Sequence, residues 1–262
     1  MFLIGAGTLV VPKDEVTVEL TLESFDISGR YWTKKDLLKF HVEKNHFAQG
    51  AFRNAYKAYT NRESNEKWVI KRFKPESWTE IEQIYDMSLV AHTRKQVQMH
   101  VTARSIAYRM KKKFIDLSNH ELYGMCFKYD NIYFAMFNND PVTVEKYVPG
   151  KFVKFVNNDG RPGKATEGSE DIYSKAETLS HFSYIDSDEK LMLVDLQGVG
   201  YRFFDPEIAT SSEIASQNSE AVFCAGNLRD HAIRTFFQLH KCNVYCETLG
   251  LPVVMCEETE LD

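Results

Sequence analysis

Leu191-Met192-Leu193-Val194-Asp195-Leu196-Gln197-Gly198-Val199-Gly200, followed by Asp205-Pro206, is the stretch on which the reading of this chain turns. Its apolar run predicts a strand over 191–196 that delivers a carboxylate, an amide and two glycines to one end. A second carboxylate, Asp205, follows ten positions after Asp195. Mg2+ takes hard oxygen ligands and uses one or two protein carboxylates beside a substrate's phosphates. Gln197 lies two residues past Asp195, on the same side of an extended chain. Asp195, Gln197 and Asp205 therefore suffice for one general base and a pair of metal ligands. The plainer reading of Asp205 is a turn, where Asp before Pro is common.

A second constellation lies downstream. His240-Lys241-Cys242 and then Cys246 follow an apolar helical pattern, and Cys242 and Cys246 share a face if that helix continues. Zinc favours four tetrahedral nitrogen and sulfur ligands, and His181 in Ser180-His181-Phe182 is the fourth donor on offer. With all four ligands internal, such a site is structural. On these residues alone, buried thiols and a core histidine explain the pattern equally well.

Composition bounds the rest. The chain has 262 residues, a net charge of −5 and 44% hydrophobic residues. That is a globular chain, large enough for two lobes with cores of their own. No basic stripe dominates, which argues against nucleic acid as partner; Lys111-Lys112-Lys113 suits the end of a helix. Residues 1–7 are apolar without a positive flank and read as an opening strand. No apolar run approaches the roughly 20 residues that cross a bilayer. Five cysteines with no secreted-domain spacing favour a reducing compartment, hence a cytoplasmic location.

Alternation predicts strands over 16–22, 53–59, 67–73, 132–137 and 142–147, with a polar turn at 61–65. A long helix is expected over 93–113, with Met99, Ala103, Ala107, Met110 and Phe114 as its buried stripe. Residues 157–163 form a loop by composition, and 171–182 a helix. Phe203 is expected in the strand that returns beside 191–196. The helix over 227–239 should bury Leu228, Ala232, Phe236 and Leu239. Strands dominate the first half, so two lobes are expected, hinged near Tyr147-Val148-Pro149-Gly150.

Lys71, inside the apolar run Trp68-Val69-Ile70-Lys71-Arg72-Phe73, has its head directed somewhere specific. A nucleotide phosphate suits it, although an edge-strand lysine reaching water is commoner. Gly50 precedes a strand that begins with Arg53, which can reach a phosphate. Glu145 precedes the hinge, where backbone groups or a carboxylate can meet an adenine amino group.

Together these motifs resemble the atypical alpha-kinase family, the elongation factor 2 kinase, myosin heavy chain kinase and channel-kinase type of catalytic domain. The residues that carry the resemblance are Asp195-Leu196-Gln197-Gly198-Val199-Gly200, Asp205-Pro206, Gly226-Asn227-Leu228, His240-x-Cys242-Asn243-x-x-Cys246 and Leu249-Gly250-Leu251, and it extends over about 47–251. It implies an α+β, two-lobed protein-kinase-like fold with a β-rich N-lobe (about 1–147), a mixed C-lobe (about 148–252) stapled by structural Zn2+, and an acidic tail (253–262) beyond. ATP would lie in the cleft and Mg2+ beside it. Lys71 and Arg53 would meet the phosphates, and Glu145 and Tyr147 the adenine. Asp195 would be the catalytic carboxylate, with Gln197 and Asp205 on Mg2+, and His181, His240, Cys242 and Cys246 on zinc. The loop 157–163 would flank the cleft. The implied activity is serine/threonine protein phosphorylation; the alternative is a pseudokinase or nucleotide-binding scaffold. A zinc hydrolase is excluded because the zinc ligands are all internal. Two departures stand out. Arg229-Asp230-His231-Ala232 replaces further glycines after Gly-Asn-Leu, and the long helix offers Gln98 and His100 but no glutamate to pair with Lys71.

Overall fold

The structure, a computed structural model, describes residues 4–5, 8–9, 14–61, 66–84, 86–118, 120–217 and 226–254. Residues 62–65 of the expected turn and 255–262 of the expected tail lie outside the described residues. So does most of the expected opening strand, except β1 (Ile4–Gly5), which pairs with β2 (Thr8–Leu9). The chain divides into two compact units. One comprises Met1–Ser24, Trp32–Thr93 and Ile132–Tyr147, and the other Phe25–Tyr31, Arg94–Asn131 and Val148–Asp262.

The first unit is built on a sheet of seven strands. In chain order the next strands are β3 (Glu15–Asp26), β4 (Tyr31–Glu43), β5 (Ala48–Gln49), β6 (Arg53–Tyr59), β7 (Lys67–Phe73), β8 (Lys128–Tyr129, in the second unit), β9 (Ile132–Phe137) and β10 (Asp140–Lys146). The sheet runs β4-β3-β9-β10-β7-β6-β5, and β4 also pairs with β6 through His41 opposite Tyr59, so the sheet closes on itself. One face of β3, β4, β6, β7, β9 and β10 fills the enclosed core: Leu20, Phe40, Ala58, Trp68, Ile70, Ala135, Val142 and Val144 are all buried. Intervening residues point the other way. Alternation predicted β6, β7, β9 and β10 closely, but β3 is longer than expected and β4 was not foreseen. In the first half of β4 no residue from Tyr31 to Leu37 is buried, and only Trp32 and Thr33 are half-buried, so there is no alternation to read.

The second unit takes most of the long helix α2 (Leu89–Asp116), which follows α1 (Pro75–Ile84). Met99, Ala103, Ile106, Ala107, Met110 and Phe114 bury the expected stripe. After α3 (His120–Tyr123) come β11 (Val153–Lys154), α4 (Glu170–Asp186), β12 (Leu191–Val194), β13 (Gln197–Val199), β14 (Arg202–Phe203), β15 (Glu207–Thr210), α5 (Ser212–Gln217), α6 (Arg229–Leu239) and α7 (Val244–Thr248). One small sheet runs β11-β13-β14-β8, and another pairs β12 with β15.

Three expectations are corrected here. The strand over 191–196 ends at Val194, because Asp195 turns into the left-handed region at φ 52° and leaves the ladder. Its return partner is β15, with Leu191 opposite Thr210 and Val194 opposite Glu207. Phe203 instead lies opposite Gly198 in the β13–β14 pair. The buried face of α6 is Ala232, Ile233, Phe236 and Phe237, while Leu228 and Leu239 are 41% and 49% exposed. Leu228 precedes the first helical turn and Leu239 ends the last, so neither is bound by the helix period.

Candidate active site

In the first unit the core-facing residues of β6, β7 and β10 leave a second face whose rows follow from register. Ala55 and Thr143 flank Lys71 on its two neighbouring strands, and Lys57 and Glu145 flank Val69 in the next row. Small Ala55 leaves room for the lysine. The Lys71 ammonium pairs with the Glu145 carboxylate, one row along, and both side chains are less than a tenth exposed. The acidic partner that the long helix lacks thus comes from the adjacent strand. Arg53 donates from Nη1 to Thr143 Oγ1 at 3.1 Å. Tyr147, just past β10, is half-buried, and its N–H donates to the Lys67 carbonyl at 2.9 Å. Arg53, Lys71, Glu145 and Tyr147 therefore lie on or beside one sheet face.

In the second unit Asp195 sits on the turn between β12 and β13. Its N–H donates to the Asn157 carbonyl at 3.3 Å. Lys154 Nζ lies 2.5 Å from its Oδ1. Gln197 Nε2 donates to Asp195 Oδ2 and to the Asp205 carbonyl oxygen, each at 3.1 Å. Gln197 thus turns its NH2 edge to these acceptors, and the amide must rotate by half a turn to offer oxygen there. Asp205 also has a left-handed backbone, with φ 50°. Gly198 is required next to Gln197, because a Cβ would collide with the Arg202 carbonyl in the hairpin. Burial pushes the Asp195 carboxyl above the usual carboxylate range; Lys154 opposes this, and the charge of Asp205 adds to it.

The loop 157–163 docks on α6. Gly160 takes φ 84°, and a Cβ there would strike the Ala232 carbonyl. Asn158 Nδ2 donates to the Gly226 carbonyl at 2.9 Å. Asn227 holds the next turn: its Oδ1 accepts from the N–H of Thr210 and of Arg229, each at 3.0 Å.

His181, Cys242, Cys246 and His240 bring one ligand atom each to within 4.8 Å of one another. Zinc bonds of about 2.3 Å to sulfur and about 2.1 Å to nitrogen, at tetrahedral angles, put sulfur and nitrogen about 3.6 Å apart. Cys246 Sγ lies 3.6 Å from His240 Nε2, and Cys242 Sγ 3.8 Å from His181 Nδ1. The outer nitrogens are occupied. His181 Nε2 donates to the Pro252 carbonyl at 3.0 Å, and His240 Nδ1 donates to Glu177 Oε2 at 2.8 Å. That is the support metal-bound imidazoles use to fix the tautomer and aim the ligand atom. Burial, with His240 adding to it, takes His181 down to about 4, so it is neutral, as a ligand must be. Burial pushes the Cys246 thiol up to about 11, which a bound cation would reverse. The four donors fit zinc.

Sequence reading missed Lys154 and Glu177. Lys154 carried a signal, since Phe152-Val153-Lys154-Phe155-Val156 sets a lysine in an apolar run just as around Lys71. Glu177 carried none, because its partner is 63 positions away.

A closed β-rich unit and a mixed unit with a His2Cys2 cluster define a known kind of domain. Residues 48–246 match the Alpha-kinase family, well over half of the chain, and the chain belongs to that family. Its fold is that of the alpha-kinase domain of myosin-II heavy chain kinase A, solved in complex with AMP-PNP, with a TM-score of 0.72 at 21% identity over 92% of this chain and 97% of that one. It is similar to transient receptor potential cation channel subfamily M member 6 of Mus musculus, 30% identical over 71% of this chain and 9% of the channel subunit. It is also similar to eukaryotic elongation factor 2 kinase of Caenorhabditis elegans, 27% identical over 85% of this chain and 26% of that kinase. The chain thus spans a minor part of both relatives. No helix among the described residues is long and apolar enough to cross a membrane.

Proposed function

We propose that residues 1–262 are a single alpha-kinase catalytic domain, with an N-lobe of about 1–147, less Phe25–Tyr31 and Arg94–Asn131, which go with the second unit, a C-lobe of about 148–252 and an acidic tail over 253–262. It transfers the γ-phosphate of ATP to a serine or threonine hydroxyl of a protein substrate in the cytoplasm. Family membership supports kinase activity, and the AMP-PNP bound to a domain of the same fold supports ATP as the donor. Phosphoryl transfer asks a protein mainly to position groups and offset charge. Lys71, fixed by Glu145, and Arg53 hold the phosphates, while Tyr147 and the backbone around Glu145 meet the adenine. Asp195 orients the acceptor hydroxyl and takes its proton, and its raised pKa suits a base. Lys154 steadies that carboxylate. Mg2+, held by Asp205 and by Gln197 with its amide turned, would neutralise phosphate charge. Zinc on His181, His240, Cys242 and Cys246 staples the C-lobe.

The observation that carries this reading is Gln197 bridging Asp195 and Asp205. It ties the carboxylate of the proposed base to the backbone of the proposed metal ligand. A nucleotide-holding scaffold is the second reading, favoured by Arg229-Asp230-His231-Ala232 where glycines are expected. Labelled Mg-ATP with a generic basic protein separates the two. The wild type should transfer phosphate, Asp195→Ala should bind ATP without transfer, and Asp205→Ala should lose Mg2+-dependent binding. A wild type that binds ATP but labels no protein would decide for the scaffold.

A further inference from the structure

The face of the first unit that carries Lys71 also carries a lysine in different surroundings. Arg53, Ala55 and Lys57 alternate onto that face along β6. Arg53 and Lys57 are four residues apart, about 13 Å along the strand, a span that suits the two ends of a nucleoside triphosphate. The Arg53 end is polar, with its guanidinium on Thr143. The Lys57 end is aromatic. Its Nζ lies 5.2 Å from the ring centre of Phe47 and 5.6 Å from that of Tyr147, and the two rings meet edge to face at 5.8 Å. Phe47 is 41% exposed, so ring surface is available.

The charges differ as well. Lys71 is neutralised by Glu145, and Lys146 by Glu66. Among the described residues the Lys57 ammonium makes two ring contacts and no ion pair or hydrogen bond. Ring faces attract a cation and leave its three N–H donors to solvent or a ligand, since Lys57 is only half-buried.

We propose that Lys57, with Phe47 and Tyr147, determines which purine this chain accepts, and that it admits GTP alongside ATP. The inference rests on the nucleotide site proposed above. The rings supply a platform for the base, and the ammonium donates to the base edge. Guanine presents two adjacent acceptors, O6 and N7, to a single cationic donor. Adenine presents N7 beside an N6 amino donor, from which an ammonium cannot accept. A lysine at this end therefore adds more to the binding of guanine than to that of adenine.

The full chain, titrated calorimetrically with Mg-ATP and with Mg-GTP, tests this in the wild type, Lys57→Met and Lys57→Arg. Wild type should bind both nucleotides with comparable affinity. Lys57→Met keeps the length of the side chain and removes the charge. It should weaken GTP about tenfold or more, the worth of a hydrogen bond to a charged donor, and ATP much less. Lys57→Arg should retain GTP. Equal changes for both nucleotides in Lys57→Met, or a wild type that binds ATP and rejects GTP, would overturn the inference and leave the nucleotide site standing. A wild type that binds neither would remove the site itself, and this inference with it.

Discussion

The first unit sets its proposed site residues on the face of a sheet, while the second sets them on turns. On the sheet, Lys71, Thr143 and Glu145 are aimed by register alone, and a hydrophobic core on the opposite face holds the register. On the turns, Asp195, Asp205 and Arg229 all have left-handed backbones, at φ 52°, 50° and 51°. Non-glycine residues hold such conformations only where their surroundings over-determine them. Those surroundings are side-chain devices: Gln197 across Asp195 and Asp205, Asn227 across Thr210 and Arg229, and the His2Cys2 cluster between α4 and α7. A site on a sheet should therefore fail through burial, and a site on turns through loss of its ties.

The strongest tie would be a metal on the His2Cys2 cluster, and breaking it should have the largest effect. Cys246 is wholly buried on α7 and His181 on α4. In small zinc peptides the metal contributes on the order of 10 kcal/mol to folding. Cys246→Ala should give insoluble protein, or protein cleaved throughout the second unit by limited proteolysis. Chelation of the wild type should reproduce that pattern and leave the closed sheet more protected. Elemental analysis that finds well-folded protein without zinc would refute the staple.

Next come the two lysine–carboxylate pairs, which test the comparison directly. Lys71 and Glu145 are buried together, with side chains 9% and 7% exposed, whereas Lys154 on Asp195 is 37% exposed. Glu145→Gln strands a buried ammonium and should cost about 3–5 kcal/mol. Lys154→Met removes a partly solvated partner and should cost about 1 kcal/mol or less, yet slow phosphate transfer. Denaturant melts of the two variants provide the check. Equal losses would mean that burial does not separate the two sites.

The same contrast explains what could be read from the sequence. Strand alternation exposed β6, β7, β9 and β10, and with them Lys71 as a charge set in an apolar run and Glu145 as a carboxylate before the hinge. Their mutual pairing was not legible, because it depends on which strand lies beside which. Asp195 was legible as chemistry but misplaced as structure: an apolar run does not announce that its next residue turns left-handed. The four metal donors were visible as residue types. What convinces structurally, the outer nitrogens of His181 and His240 held by Pro252 and Glu177, comes from contacts far apart in sequence. Exposed Leu228 and Leu239 show the limit of helical periodicity at helix ends.

The smallest expected effect lies at Arg229, where the sequence departs from the glycine-rich family pattern. Its backbone takes φ 51°, and its side chain is exposed. A residue with a Cβ loses roughly 1 kcal/mol in that region relative to glycine, while glycine gives back part of this through a freer unfolded chain. Arg229→Gly should therefore stabilise the protein by less than about 1 kcal/mol, a rise of a few degrees at most in melting temperature. Asn227 Oδ1 keeps its bond to the residue 229 N–H in either case, since that donor is backbone. Catalytic efficiency should move the other way. If the guanidinium meets an anionic group on the protein substrate, bidentate contact makes it selective and salt-sensitive. Its loss then raises KM for acidic peptides and leaves kcat in place. Stability and KM are independent readouts. A melting temperature that falls would show that the left-handed turn at 229 is held by the arginine side chain rather than endured by it. Unchanged KM across acidic and basic peptides would reduce Arg229 to a solvated residue at the start of a helix.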